Sequence, residues 1–416
     1  MSGRIQAPRG TYDVLPDAAD ARAALEATAR RVLEGSGYRR IESPTFEHTE
    51  LFSRGVGEST DIVQKEMYTF DDGGERSVTL RPEGTAPICR AYFEHGMHKL
   101  PQPVKLWYLS SFFRKEKPQA GRHRQFWQIG AEALGSDDPA VDAETILLLA
   151  TLLEQLEVGG LRLRLGSLGT LAARTAYREE LQAYLREHAA ELSDEVRARI
   201  DLNPLRAFDS DHEATQTVMR GAPLLLDRLD ADDAEHFAAV RDLLDAASVP
   251  YEVDPTLVRG MDYYTRTVFE FTSDRLGAQS GVAGGGRYDG LVEQLGGLPT
   301  PGCGWAAGIE RILLAGPELP VAPPPVDLYV AFDAPAQRIA AFAVAAEARD
   351  ARLNAQMELA GRSRKGQLKQ ADRLGARYVA IVSDTGTVLK DMQAGEQQDL
   401  DAGAVVTRIL RERGMR

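Results

Sequence analysis

KLWYLSSFFRKEKPQAGRHRQFWQIGAEAL, Lys105–Leu134, holds two strand-like runs joined by a short polar loop. Lys105–Arg114 and Arg124–Leu134 predict a long antiparallel hairpin. Side chains alternate with a period of two, so Arg124, Phe126, Gln128, Gly130 and Glu132 share one face of the second strand. Trp127, Ile129, Ala131 and Ala133 take the other face and read as core. The first strand ends in Phe112-Phe113-Arg114, so pairing brings an arginine, an aromatic, an amide and a carboxylate onto one surface. Such a floor can hold a small polar ligand and an anion together; a plain solvated face is the alternative.

Around the hairpin the pattern stays antiparallel, with few crossover helices. Ala21, Leu25, Ala29, Val32 and Leu33 form a helical stripe ended by Gly35 and Gly37. Tyr263–Thr272 alternates as a strand, and Gln279–Gly284 follows it. The stretch from about 171 to 250 is mostly helical with charged faces and reads as an insertion. Pro317–Pro325 (PELPVAPPP) predicts a stiff linker. Beyond it Val326–Phe332 and Tyr378–Val382 read as strands, and Ala336–Ala351, Lys365–Leu374 and Ala404–Arg413 as helices. The expected class is α+β: an antiparallel sheet core flanked by helices over 1–320, and a separate α/β domain over 326–416.

The whole chain has 416 residues, 49 Lys+Arg against 62 Asp+Glu, and a net charge of −13. Its two cysteines, Cys89 and Cys303, are too few for a disulfide framework or a structural zinc site, which fits a reducing cytoplasm. MSGRIQAPRGTYDVLP lacks the apolar stretch of a secretory signal, and Ile146–Leu153 is far too short for a bilayer span. Two segments oppose the acidic balance. Arg114, Lys115, Lys117, Arg122 and Arg124 stand against Glu116. Arg362, Arg364, Lys365, Lys369, Arg373 and Arg377 stand against Asp372. Each run is either a solvated face or a local patch for one polyanion.

No Walker phosphate loop is present. Gly302–Ala307 (GCGWAA) fits the letters of a dinucleotide fingerprint but follows Pro299-Thr300-Pro301 and not a strand, so close packing of small residues explains it better. Arg81-Pro82-Glu83-Gly84-Thr85 stops a strand; Glu83 and Thr85 either cap the next helix or accept a ligand ammonium. Val258–Tyr264 (VRGMDYY) sets an arginine and two tyrosines at a loop-to-strand junction. Gly284-Gly285-Gly286 demands close backbone approach or a plain turn. Arg114, Arg259 and Arg311 come from separate segments and suit charge developing at phosphorus, while carboxylates and tyrosines suit an amine or imidazole.

These segments together resemble the histidyl-tRNA synthetases, a family of class II aminoacyl-tRNA synthetases, along nearly the whole chain. The resemblance rests on RGTYDVLP, on YRRIESPTFEHTELFSRGVGESTDIVQKEMYTF (motif 1) and on LRPEGTAP with FFRKEKPQAGRHRQFWQIGAE (motif 2). It continues through LVRGMDYYTRTVFEF, GVAGGGRYDGL and GCGWAAGIERIL (motif 3), then GRSRKGQLKQADRLGARYVAIVSD and LKDMQAGEQ. It implies a class II catalytic core and a C-terminal anticodon-binding domain. It further implies ligation of L-histidine to tRNA(His) through histidyl-adenylate, with release of AMP and pyrophosphate.

The resemblance also implies roles. Glu83, Gly84, Thr85 and Gln128 would hold the α-amino end of histidine. Glu132 and Tyr264 would read the imidazole, with Tyr263 and Tyr288 lining the pocket. Arg114 and Arg259 would grip the α-phosphate as the catalytic pair, and Phe126 with Arg311 would hold the adenine of ATP. Trp127, where a smaller aromatic or His is expected, would face away from the ligand. Mg²⁺ would accompany ATP, with no zinc and no protein-held metal. Lys115, Lys117 and Arg122 would meet the tRNA acceptor end, and Arg362, Arg364 and Lys365 its anticodon arm. Motif 1 implies a homodimer, and nothing implies a membrane. A histidine-sensing regulatory subunit of an ATP phosphoribosyltransferase and an RNA-binding module with a degenerate core are the rivals. Neither needs the full set of Glu83, Arg114, Glu132, Arg259 and Arg311.

Overall fold

The hairpin forms as the alternation predicts. Val104–Phe113 pairs antiparallel with Gln125–Leu134 in unbroken register from Val104 opposite Leu134 to Phe113 opposite Gln125. It lies in an eight-stranded sheet whose order is Arg39–Arg40, Val104–Phe113, Gln125–Leu134, Gly302–Gly308, Gly281–Arg287, Thr265–Ser273, Leu161–Ser167 and Glu252–Val253. Only the two short edge strands pair in parallel; every other pairing is antiparallel. The computed structural model describes residues 4–74, 76–277, 280–318 and 325–413, which form two units, Met1–Leu319 and Pro320–Arg416. The expected α+β class is borne out.

Alternation assigns the two faces of the sheet different work. Trp107, Ile129, Ala131, Ala133, Cys303, Trp305 and Phe269 point to one face and share a core with Leu25, Leu33, Ile146, Leu149 and Val240. That core is covered by the helices Pro16–Glu34, Pro139–Gln155 and Ala231–Ala246. At roughly 25 cal/mol per Å² of apolar surface removed from water, this helix-backed side supplies much of the unit's stability. Tyr108, Phe112, Tyr264, Val268 and Tyr288 belong to the opposite face. There the core is thinner and polar side chains are interleaved with it. The sheet is thus a rigid floor, packed from behind, that presents chemistry in front.

The helical stretch after Leu171 divides. Its last helix, Ala231–Ala246, buries Phe237, Val240 and Leu244 in the core behind the sheet. The earlier part, with Tyr177, Leu181, Leu185, Val196 and Leu225, packs on the front side. Charged faces alone did not separate the two in sequence, because both carry an exposed acidic or basic side.

Pro320–Arg416 holds a five-stranded sheet in the order Ala355–Met357, Leu328–Phe332, Tyr378–Ser383, Gly386–Asp391, Gln397–Leu400. The first three strands run parallel, Gly386–Asp391 runs against them, and Gln397–Leu400 runs against Gly386–Asp391. The two predicted strands and three helices appear with ends shifted by a few residues: Arg338–Asp350, Arg364–Arg373 and Val405–Glu412. Residues 319–324, within the expected proline-rich linker, and Gln279, at the head of one expected strand, lie outside the described residues. Among the described residues no helix is long and apolar enough to cross a membrane. Both cysteines are buried and free.

Candidate functional site

Glu132 is the most deeply buried carboxylate of the front face, with no exposed surface. Its Oε1 accepts from the Thr85 hydroxyl at 2.8 Å and from the Tyr108 phenol at 3.4 Å; its Oε2 accepts from Tyr288 at 2.5 Å. Burial pushes its carboxyl up to about 8, against the pull of the Tyr288 and Thr85 bonds and with help from nearby Glu83. At neutral pH it is therefore held mostly protonated, and becomes an ion only when something charged or strongly donating joins it. Tyr263 packs against Tyr264 and Tyr288, at 4.7 and 5.8 Å between ring centroids. Burial raises all three phenols above their ordinary range, so they stay neutral.

For Glu83 the capping reading left open in sequence holds. Its two oxygens accept from the amides of Thr85 at 2.8 Å and Ala86 at 3.0 Å, so it does cap the helix Thr85–Glu94. Thr85 does not cap; its hydroxyl goes to Glu132. Burial raises the Glu83 carboxyl as well. Each carboxylate oxygen keeps a further lone pair, so capping and ligand binding are compatible.

A cavity of about 300 Å³ opens beside this cluster, lined among others by Arg114, Phe126, Gln128, Arg259, Gly284 and Arg311. Arg114 donates from Nε to the Pro82 carbonyl at 2.9 Å and lies 5.3 Å from the Phe126 ring centroid. Arg259 is anchored by Glu270 at 3.0 Å, which Arg164 also holds at 3.3 Å. Its Nε is buried and lacks a partner among the described residues. Burial, then the charge of Arg122, pushes the Arg311 guanidinium down. Three guanidiniums from three segments thus meet over one strand face.

The two regions form one strip. Phe126 and Gln128 in the cavity, and Glu132 four residues on, share the same side of one strand, which at about 3.3 Å per residue spans a small ligand joined to a nucleotide. The Gly-rich run proves to be a strand, Gly281–Arg287, and not a turn. A Cβ on Gly284 would stand 2.3 Å from the Arg259 guanidinium, and one on Gly286 2.4 Å from the Thr267 carbonyl oxygen and 3.0 Å from the Tyr264 ring. On the neighbouring strand a Cβ on Gly304 would meet Glu132 Oε2 at 1.8 Å. Gly84 and Gly130 both leave room for the Tyr108 ring. Glycine is required here because functional side chains lie flat against backbone.

Several residues were not singled out in sequence. Tyr108 stands opposite Gly130 in the hairpin, a bulky-against-glycine pairing that alternation could have flagged. Glu270 sits opposite Gly284 and aims Arg259. Glu310, next to Arg311, accepts from the Trp127 amide with both oxygens at 3.1 Å, from Tyr12 at 2.6 Å and from Arg22 at 2.8 Å. The Gly10 carbonyl accepts from the Arg124 amide at 2.8 Å. The N-terminal RGTYDV segment thereby staples the hairpin end to the helix bearing Arg311. The Trp127 side chain packs against the rear core, away from the cavity.

The candidate polyanion contacts divide. Lys115 and Lys117 are exposed on the hairpin loop, while Arg122 is bound to Glu116 at 2.9 Å. In the C-terminal unit Arg362 pairs with buried Glu358 at 3.2 Å and Arg364 with Asp333 at 3.4 Å; Lys365 is exposed. Among the described residues no cluster of three or more His, Cys, Asp or Glu could hold a metal ion.

The chain is similar to known proteins along nearly its whole length. The family description "Histidyl-tRNA synthetase" matches residues 10–312. A "Histidine--tRNA ligase" of Halorhodospira halophila is 49% identical over 97% of both chains. One from Desulfitobacterium hafniense is 46% identical over 99% of both. The crystal structure of apo S. aureus histidyl-tRNA synthetase superposes with a TM-score of 0.80 at 33% identity, covering 98% of this chain and 100% of that one.

Proposed function

The chain belongs to the histidyl-tRNA synthetase family, and from that membership we propose how its site works as a histidine–tRNA ligase. A carboxylate oxygen of histidine attacks the α-phosphorus of ATP; the bond to pyrophosphate breaks and histidyl-adenylate forms. The terminal ribose hydroxyl of tRNA(His) then attacks the activated carbonyl and AMP leaves. Arg114 and Arg259 flank the reacting phosphate, the unpartnered Nε of Arg259 supplying a donor for the charge that develops there. Arg311 and Phe126 hold the nucleotide. Glu83, Gly84, Thr85 and Gln128 receive the α-amino end, and Glu132, Tyr264, Tyr263 and Tyr288 enclose the imidazole. Magnesium arrives with ATP as part of that substrate. The chain works as a cytoplasmic homodimer, with Lys115, Lys117, Arg122, Arg362, Arg364 and Lys365 facing the tRNA.

The observation that carries this reading is the shared strip: a buried, protonatable carboxylate ringed by phenols at one end and three guanidiniums over a cavity at the other. Catalysis in such a site is mainly positioning and charge stabilisation. Histidine-dependent ATP–pyrophosphate exchange and charging of tRNA(His) test it together, and absence of both would overturn it. Arg259→Ala should cut exchange by about 10²–10³-fold, the scale for one pre-organised donor. A rate within a few-fold of wild type would remove Arg259 from its role. An amino acid with an apolar ring in place of imidazole should be rejected by about 10⁴–10⁵-fold, because it leaves Glu132 without its partner.

A further inference from the structure

The backbone carrying Arg259, Tyr263 and Tyr264 runs between two cavities, while both phenol rings are buried in the front core. On one side lies a cavity of about 850 Å³ lined by Arg174, Asp262, Tyr263 and Arg266, among others. On another lies a cavity of about 130 Å³ whose wall includes Arg174, Arg259, Met261 and Asp262. Beside these openings, hydrogen bonds add to the ring packing in fixing the backbone. The Asp262 amide donates to the Val56 carbonyl at 3.0 Å, and Ser59 donates to the Asp262 carboxylate at 2.5 Å. At the far end Arg266 adopts a left-handed conformation, φ 45°, unusual for a residue other than glycine. Its amide donates to Gly169, and its guanidinium reaches Asp233 at 2.8 Å.

One side chain ties the middle of this segment. Arg174, in the first turn of the helix Leu171–Glu187, donates from Nη1 to the Tyr264 carbonyl at 2.6 Å and from Nη2 to the Asp262 carbonyl at 2.7 Å. The two acceptors bracket Tyr263, and only a planar, forked guanidinium reaches both at once. The side chain lines both cavities but contributes nothing to the 300 Å³ cavity where Arg114 and Arg311 meet.

We propose that Arg174 is a positioning residue for histidine selection: its guanidinium clamps the Asp262 and Tyr264 carbonyls and so sets Tyr263, Tyr264 and Arg259 from behind. The proposal rests on the synthetase reading above and assigns the helix Leu171–Glu187 a part in the amino-acid site. A displacement of even 1 Å at such a site can cost about a hundredfold in rate.

Steady-state exchange kinetics with Arg174→Met, Arg174→Lys and, as a control, Arg178→Met test it. Arg178 lies one turn further on and also lines the 130 Å³ cavity, but among the described residues it donates to the Asp201 and Leu202 carbonyls and to no carbonyl of the 258–266 segment. Arg174→Met should raise the histidine KM about tenfold and lower kcat, with the ATP KM within about twofold. Arg174→Lys, able to serve one carbonyl at a time, should fall between it and wild type, and Arg178→Met should match wild type. A drop in kcat alone with both KM values unchanged would mean a reduced folded fraction and would overturn the clamp. So would an equal rise in both KM values. If Arg174→Met does not fold, Arg174→Lys is read by the same criteria. Amide hydrogen exchange supplies a readout free of activity: residues 262–266 should exchange faster in Arg174→Met while the hairpin 104–134 does not. Unaltered exchange there refutes the proposal. Inactive wild type would instead remove the synthetase reading and leave the hydrogen-exchange arm to judge the clamp.

Discussion

Glu132 carries the clearest consequence of single-residue chemistry. Its carboxyl stands at about 8 in the folded chain against an ordinary value of 4.5. A group whose pKa rises on folding stabilises the fold fully below its unfolded value and loses that contribution as pH climbs through its folded value. Glu132 should therefore cost the empty protein stability between about pH 4.5 and 8 and beyond. Glu132→Gln keeps one of the two acceptor oxygens that Thr85 and Tyr288 use, replaces the other with an N–H donor, and removes the ionisation. Its melting temperature relative to wild type should rise from about pH 5 to about pH 8 and then level off, while histidine binding is lost. A difference flat across that range would show that the carboxyl is not held protonated. Gln128, Phe126 and Glu132 were legible in sequence because strand alternation alone puts them on one side. Tyr108 was not singled out, since an aromatic in a strand reads as core until its glycine partner is known.

At the scale of the element, the Gly281–Arg287 strand separates two reasons for glycine. A Cβ on Gly285 would lie 2.1 Å from the Gly304 carbonyl oxygen, fixed backbone of the adjacent strand. A Cβ on Gly284 would meet only the Arg259 guanidinium, the far end of a long side chain. Gly285→Ala should thus cost about 1–3 kcal/mol of stability, the scale of overpacking a core. Gly284→Ala should melt near wild type yet lose about 10²-fold in pyrophosphate exchange by displacing Arg259. Equal melting losses in the two would contradict the distinction. The hairpin and the C-terminal helices were legible because period and polarity agree with their final environment. The glycine strand was open between turn and close approach, since glycine carries no polarity to read. The hairpin Gly386–Asp391 and Gln397–Leu400 was not expected because its edge is exposed and polar. The clamp at Arg174 left no local pattern, as its partners are carbonyls about 90 residues away.

For the whole molecule, a net charge of −13 repels a polyanion everywhere except where basic groups are set forward. Arg362 is committed to Glu358, so the exposed Lys365 and the loosely held Arg364 are the groups to change. Reversing both to Glu should raise the tRNA KM about tenfold and flatten its dependence on salt, with pyrophosphate exchange untouched. Loss of exchange as well would point to damage beyond the contact. The stapling of Tyr12 to Glu310 joins residues 298 apart in the chain. A ribosome adding about 5–20 residues per second reaches Glu310 roughly 15–60 s after Tyr12. Through that interval the leading segment has only its hairpin partners, such as Arg124, and the Arg311 end of the cavity can be assembled only near the close of translation of the first unit. Pro320–Arg416 draws its pairings from within its own length. All of it leaves the ribosome after Glu310, so the first unit can close its last long-range contact while the second is still being made.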